Sequence, residues 1–177
     1  MSELMKKYKN TIIPQLKKEL DSLNDLEVPK VLKIAINTGV GRRDEKEKEM
    51  IQKDLELIVG QKVVPRKARK SIATFKSREG MVIGFGVTLR ARRMYDFLER
   101  LIMIVIPRVR DFRGIDPNSV DASGNLTLGF KEHMVFPEMI DEDIKTHFGL
   151  EVTLVTQARS REEAVALLKA FGIPFKR

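Results

Sequence analysis

The chain has 177 residues, of which 42% are hydrophobic and 33% are charged, and it contains no cysteine. This composition is typical of a globular protein with a sizeable core, and it excludes disulfides and thiolate metal sites. The net charge of +8 at pH 7 indicates a polyanionic partner. No apolar run approaches the ~20 residues of a membrane span, and the sequence begins without a signal-peptide pattern. We therefore expect a cytoplasmic protein that binds no membrane.

Residues 65–93 carry the whole net charge. They include nine basic side chains and one acid, Glu79, whereas acids and bases balance in the rest of the chain. The basic residues are Arg66, Lys67, Arg69, Lys70, Lys76, Arg78, Arg90, Arg92 and Arg93. Because ordinary surfaces intersperse the two signs, this patch favours a nucleic-acid partner over a merely solvated loop.

Hydrophobic periodicity predicts the elements of the first half. Apolar residues recur every three or four positions from Leu4 to Leu23, which indicates an amphipathic helix that Pro14 should kink or divide. The elements that follow are a strand over 31–37, a helix over 44–59 stopped by Gly60, and an extended segment over 61–68.

The second half reads as alternating loops, strands and helices. In chain order we predict a basic loop over 71–80, a strand over 81–90, a helix over 92–106 ending at Pro107, a long loop over 111–124, a strand over 126–131, a short helix over 140–147, a strand over 151–157 and a helix over 161–170 capped by Ser160. The strand over 81–90 should be apolar on the face of Ile83 and Phe85. Its other face should be nearly bare, since it carries Gly84 and Gly86.

This order of elements predicts an α+β fold, because strands and helices mix without strict βαβ alternation. We expect a mixed, mainly antiparallel sheet with helices packed on one face and the other face open. We expect residues 1–177 to form a single domain, with the N-terminal half 1–80 and the C-terminal half 81–177 sharing the sheet.

The motifs of common enzymes and cofactor sites are incomplete. Gly39-Val40-Gly41 follows a strand as in a dinucleotide-binding turn, but the third glycine is replaced by Asp44, whose carboxylate would repel a pyrophosphate. His133 and His147 are the only histidines, and their spacing does not suit a metal pair, so both are interpreted as packing or surface residues. We expect no enzyme activity, no cofactor and no metal.

The open strand face suits RNA. Lys33, Asn37, Thr88 and Arg90 alternate there with small residues, and glycine allows a phosphate-ribose chain to approach the backbone closely. Asn and Thr can bond the hydroxyls and base edges of the broad RNA minor groove. Because this face has almost no aromatic residue for stacking, structured RNA fits better than a single strand. A sheet face covered by a helix or a second copy is the alternative.

Several motifs then follow one another in a recognisable order. They are Val28-Pro29-Lys30-Val31, Ile36 to Gly41, Gly60-Gln61-Lys62, Ala68 to Ala73, Val87 to Arg90, Pro107-Arg108-Val109-Arg110-Asp111-Phe112-Arg113-Gly114 and Phe136-Pro137-Glu138. The set resembles the bacterial large-subunit ribosomal protein L five family (universal family uL five) over nearly the whole chain, to Pro174-Phe175-Lys176.

The resemblance implies a structural constituent of the large ribosomal subunit that binds 5S rRNA and anchors it in the central protuberance. It places Asn37, Gln61 and Thr88 in the binding face, with Lys9 alongside. Taken together with the strand face and the basic patch, the candidate rRNA-binding residues are Lys9, Lys33, Asn37, Gln61, Arg66, Lys67, Arg69, Thr88, Arg90 and Arg92.

The resemblance also implies further partners. The basic loop 71–80 would contact the elbow of the peptidyl-site tRNA, and part of the second half would bridge to a protein of the small-subunit head. The candidate tRNA-contact residues are Lys70, Ser71, Phe75, Lys76, Ser77 and Arg78. The other implied partners are 23S rRNA and neighbouring 5S-associated ribosomal proteins. From its polar composition we expect this loop to be mobile in the free protein.

The sequence departs from the family at Ala91-Arg92, where the family usually has Gly-Glu. Two other functions stay open at this stage: a stand-alone RNA chaperone or regulator that binds structured RNA, and an enzyme with an RNA substrate. Co-sedimentation with large subunits after a high-salt wash would separate them from the ribosomal function.

Overall fold

The computed structural model describes residues 3–20, 24–75, 77–110, 112–139 and 146–176. Its strands are β1 (Val31–Gly39), β2 (Val64–Lys67), β3 (Val82–Leu89), β4 (Leu126–Phe130) and β5 (Leu150–Thr156). They form one antiparallel sheet in the order β2-β3-β1-β5-β4. The predicted α+β class with a mainly antiparallel sheet is confirmed.

The helices agree closely with the hydrophobic periodicity. They are α1 (Glu3–Lys7), α2 (Ile13–Glu19), α3 (Glu45–Val59), α4 (Ala91–Arg100), α5 (Ile106–Arg108) and α6 (Arg161–Phe171). Single π-helical turns, Tyr8–Ile12 and Leu101–Val105, connect α1 to α2 and α4 to α5. Within the described ranges, no helix is long and apolar enough to cross a membrane.

Both helical prolines follow a π-helical turn. The amide of Ile13, just before Pro14, donates to the carbonyl of Tyr8, and the amide of Ile106, just before Pro107, donates to that of Leu101. This wider turn accommodates a proline ring that would clash inside a regular helix. Pro14 therefore begins a second segment, as predicted. The prediction that the helix ends at Pro107 is wrong, since α5 continues to Arg108.

Two compact units divide the chain. The first comprises Met1–Ile34, Leu89–Leu128 and Thr153–Arg177, and the second comprises Ala35–Thr88 and Gly129–Val152. In the first unit, the ring of Tyr8 stacks on that of Phe171 with centroids 5.5 Å apart, and the Tyr8 hydroxyl donates to the carbonyl of Pro29 at 3.1 Å. Burial raises the pKa of Tyr8 to about 12. The single-domain organisation over 1–177 stays a prediction.

The second unit is built around α3. Asp44 precedes this helix in an extended conformation, and Gly60 ends it in the left-handed region at φ +67°. The helix buries Ile51, Leu55 and Ile58 completely. These bounds match the predicted helix to within one residue, because an apolar stripe and a glycine stop are both local signals.

The terminal helix and the segment before β5 complete the comparison. The Ser160 hydroxyl accepts a hydrogen bond from the Glu163 amide at 3.3 Å, which confirms the predicted N-cap of α6. Of the short helix predicted over 140–147, residues 140–145 lie outside the described residues, as does Leu23 of the first helix. Residues 146 and 147 are in neither helix nor strand.

The predicted alternation along β3 fails at one residue. Arg66 in β2 is opposite Gly84, but Lys67 is opposite Val82, so Ile83 has no partner in the ladder. Such a bulge reverses which face the following side chains occupy. Ile83 is accordingly 40% exposed, although the sequence pattern predicts it in the core with Phe85.

Candidate nucleic-acid interface

Two side chains of the predicted rRNA-binding set converge over Gly86 of β3. A Cβ atom at Gly86 would lie 2.9 Å from Asn37 Oδ1 and 3.0 Å from Arg66 Nε. Asn37 comes from β1 and Arg66 from β2, and both are exposed. The glycine is thus needed for space, because any side chain there would displace an amide and a guanidinium. The face predicted to be nearly bare is locally covered by these polar groups.

A second pair lies on the same strand. Gln61 Nε2 donates to the Thr88 carbonyl at 3.4 Å, and both residues are half-buried. The left-handed Gly60 turns the chain out of α3 immediately before Gln61. Gly86 and Thr88 are two residues apart in β3 and therefore share a face of the strand. The structure brings Asn37, Gln61, Arg66 and Thr88 together on this face, and we call these four residues the sheet-face cluster.

The cations next to this cluster lack counter-ions. All four residues of β2 are exposed, including Arg66 and Lys67, and Arg69 and Lys70 beyond its end are exposed as well. Among the described residues, none of these four cations forms an ion pair. Their charge remains available for phosphates.

The basic loop 71–80 is closed by its own hydrogen bonds. Ile72 and Ser77 exchange backbone bonds of 3.1 and 3.2 Å, and the Ser71 hydroxyl accepts from the Glu79 amide at 2.9 Å. Arg42 Nη2 donates to the Thr74 carbonyl at 3.3 Å. Of the predicted tRNA-contact residues, Lys70, Ser71 and Arg78 are exposed and Ser77 is half-buried. Lys76 and the side chain of Phe75 lie outside the described part of the chain.

The remaining rRNA-binding candidates belong to the first compact unit. Lys9 is exposed on the first π-helical turn, and Lys33 is half-buried in β1. Arg90 is the exposed residue before α4. Arg92 is exposed and forms an ion pair with Asp96 at 3.6 Å, so part of its charge is already compensated.

Sequence reasoning missed two features of the second unit. The convergence on Gly86 depends on strand register, and its only sequence signal is a glycine inside a strand. The reach of Arg42 to Thr74 has no local signal at all. The histidines agree with their interpretation: His133 is fully buried and its ring stacks on Phe148 with centroids 4.1 Å apart, whereas His147 is exposed.

The sheet-face cluster can recognise a polar ligand but has no group for acid–base chemistry. An amide, a guanidinium and a hydroxyl offer donors and acceptors that match ribose hydroxyls, base edges and phosphates. A general base would need a carboxylate, imidazole or similar group near its working pKa. The cluster therefore resembles a binding surface.

Comparison with known proteins identifies the family. The model of ribosomal protein L5 matches residues 24–78, and the C-terminal model of the same ribosomal family matches residues 82–175. The chain belongs to the ribosomal protein L5 family, uL5. The resemblance stated from the sequence is confirmed.

Individual relatives match over nearly their full length. The chain is 50% identical over 175 residues to the large ribosomal subunit protein uL5 of a Synechococcus strain, covering 98% of each chain. It is 48% identical to the uL5 protein of Fusobacterium nucleatum over 99% of this chain and 97% of the relative. The protein of Halothermothrix orenii is 46% identical over 99% of each chain. Because uL5 proteins are structural components of the ribosome, the prediction of a non-enzyme is confirmed.

Proposed function

We propose that this uL5 chain binds 5S rRNA through the sheet-face cluster and anchors it in the central protuberance of the large subunit. As a large-subunit ribosomal protein it acts in the cytoplasm. The observation that carries the proposal is the convergence of Asn37 and Arg66 on Gly86 beside the pair of Gln61 and Thr88. An amide and a guanidinium at one point match a base edge or ribose hydroxyl next to a phosphate.

The basic loop 71–80 is proposed to contact the peptidyl-site tRNA. Support comes from exposed Lys70 and Arg78, and from hydrogen bonds that close the loop independently of the sheet-face cluster. Part of the second half is proposed to bridge to a protein of the small-subunit head, while 23S rRNA and the neighbouring 5S-associated proteins complete the surroundings.

A pair of glycine substitutions tests the sheet-face site without removing any polar group. In Gly86→Ala the new methyl meets only the ends of the Asn37 and Arg66 side chains, which can move. We expect nearly unchanged stability but about tenfold weaker 5S rRNA binding, since both polar groups are displaced from the RNA. Gly84→Ala should do the reverse, because its methyl would lie 2.6 Å from the backbone carbonyl oxygen of Thr38. Gly129→Ala, with open space around it, is the control for both measurements.

Direct removal of the polar groups gives the complementary test. Asn37→Ala and Thr88→Ala should each weaken 5S rRNA binding by about 1–3 kcal/mol if their partners are buried hydrogen bonds. Gel-shift titration of the double variant decides the point, and wild-type affinity would refute the sheet-face site. A stand-alone RNA chaperone or regulator would be indicated instead if the wild-type protein failed to co-sediment with large subunits after a high-salt wash.

A further inference from the structure

A second set of cations lies apart in sequence from the basic stretch 65–93. The run Pro107–Gly114 contains three arginines and one acid, Asp111. Arg108, Arg110 and Arg113 are all exposed, as is Lys176 near the end of the chain. We infer that these four residues, here called the arginine-loop surface, form a second phosphate-binding site that takes an RNA segment other than the one on the sheet face.

Backbone contacts join the two parts of this surface. The Ile115 amide donates to the Pro174 carbonyl and the Lys176 amide donates to the Ile115 carbonyl, both at 2.8 Å, so that residues 115 and 175 pair in parallel. Gly114 has φ +93°, and a Cβ there would lie 2.9 Å from the Lys176 backbone nitrogen. The backbone beside Arg113 therefore abuts that of Lys176, and the arginine loop is held by the closing segment of the chain.

The four side chains are not used within the described protein. None of Arg108, Arg110, Arg113 and Lys176 forms a side-chain hydrogen bond or ion pair there. The nearby carboxylate of Asp116 is occupied locally, because its Oδ1 accepts from the Asn118 amide at 2.8 Å and caps the turn Pro117–Ser119. An exposed, uncompensated group of cations attracts a polyanion.

The chemistry favours an RNA backbone over an acidic protein segment. Arginine presents a planar fork that binds phosphate oxygens in a bidentate manner. Three arginines within six residues, with Lys176 beside them, match the repeated phosphates of a nucleic-acid strand rather than a single carboxylate. A chain with two such surfaces would hold two RNA segments together, which is what anchoring 5S rRNA to the large subunit requires.

The test compares two charge-removal variants of the full-length chain. The first is Arg108→Gln with Arg110→Gln and Arg113→Gln. The second removes three exposed lysines from the same compact unit, Lys6→Gln with Lys18→Gln and Lys169→Gln. Gel-shift titrations use a 5S rRNA transcript alone, and a 23S rRNA transcript with and without saturating 5S rRNA. Thermal unfolding checks that both variants fold like the wild type.

We expect the arginine variant to bind 23S rRNA about tenfold more weakly and with a salt slope lower by roughly 2 to 3, because up to three phosphates are no longer neutralised. Its 5S rRNA affinity should stay within about twofold of wild type, since the sheet-face cluster is intact. The lysine variant should keep wild-type affinity for both RNAs, and replacing the three arginines by lysine should restore part of the 23S binding.

Unchanged 23S binding by the arginine variant would overturn the inference, as would an equal loss in the lysine variant. A parallel loss of 5S binding would show that these arginines belong to the first site, and reconstituted subunits that lack a protein while both RNA affinities stay normal would indicate a protein partner. Either result also overturns it. Failure of wild-type 5S binding refutes only the sheet-face proposal, because the 23S measurement without 5S rRNA stands by itself.

Discussion

At the scale of single residues, Ala91 carries a local strain that the sequence indicates only through its departure from the family glycine. Its φ is +49°, and within the described residues it is the one non-glycine with a positive φ. This left-handed region costs an L-residue roughly 1–2 kcal/mol, whereas glycine enters it freely. The position begins α4 directly after the exposed Arg90.

We therefore expect Ala91→Gly to raise the free energy of unfolding by about 1 kcal/mol. Ala170→Gly is the matched control, because Ala170 lies in the last turn of α6, and glycine in an ordinary helix should lower stability by about 0.5–1 kcal/mol. Urea unfolding of the two variants checks this, and a loss of stability in Ala91→Gly would refute the strain.

His133 gives a prediction about pH. It is completely buried, its Nδ1 accepts from the Phe148 amide at 3.5 Å, and its Nε2 has no hydrogen-bond partner. Burial lowers the pKa of His133 first of all; the Phe148 hydrogen bond and Glu132 oppose this, whereas His147 and Arg43 reinforce it. The unfolded chain, with an ordinary histidine pKa of about 6.5, thus binds the proton before the folded chain does.

Stability contributed by neutral His133 should be fully present above about pH 6.5 and should be lost as the pH falls from there toward the folded pKa. The slope attributable to this residue is at most about 1.4 kcal/mol per pH unit. Urea unfolding between about pH 5.5 and 8 should show a steeper acid decline in the wild type than in His133→Phe, which keeps a ring against Phe148. Parallel curves would contradict the prediction.

At the scale of elements, the periodic helices and strands could be predicted from the sequence, and the exceptions have physical causes. The bounds of α3 and α6 follow from an apolar stripe with caps at its ends. The continuation past Pro107 depends on a π-helical turn, and the exposure of Ile83 depends on a bulge opposite β2. Both arise from hydrogen-bond partners that no local window of sequence contains.

The closed loop 71–80 permits a clean shortening. Because Ile72 and Ser77 already pair, residues 73–76 can be replaced by a two-residue Asn-Gly hairpin turn. We expect 5S rRNA affinity within about twofold of wild type, since surface loops tolerate length changes. Retention of peptidyl-site tRNA on assembled ribosomes should fall. Loss of 5S binding with normal tRNA retention would mean that the two surfaces are assigned the wrong way round.

At the scale of the whole molecule, the position of the charge should matter more than its amount. Arg66→Gln with Lys67→Gln removes two charges beside the sheet-face cluster, and Lys46→Gln with Lys53→Gln removes two exposed charges from α3 in the same unit. The first variant should lower the slope of log K against log salt for 5S rRNA by roughly 0.7–0.9 for each phosphate that is no longer neutralised. The second should leave it unchanged. Equal slopes for both variants would mean that only net charge attracts the RNA.

The sequence by itself determined the fold class, the bounds of most elements, the family and the polyanionic partner. These depend on local periodicity, on caps, on ordered motifs and on a count of charges, all of which are written along the chain. Only the tertiary structure decided that Asn37 and Arg66 meet over Gly86, that Arg42 reaches Thr74, and that the arginine loop is held by the segment ending at Lys176. Each of these joins residues distant in sequence, and their meeting depends on strand register and backbone pairing, which local preferences do not encode.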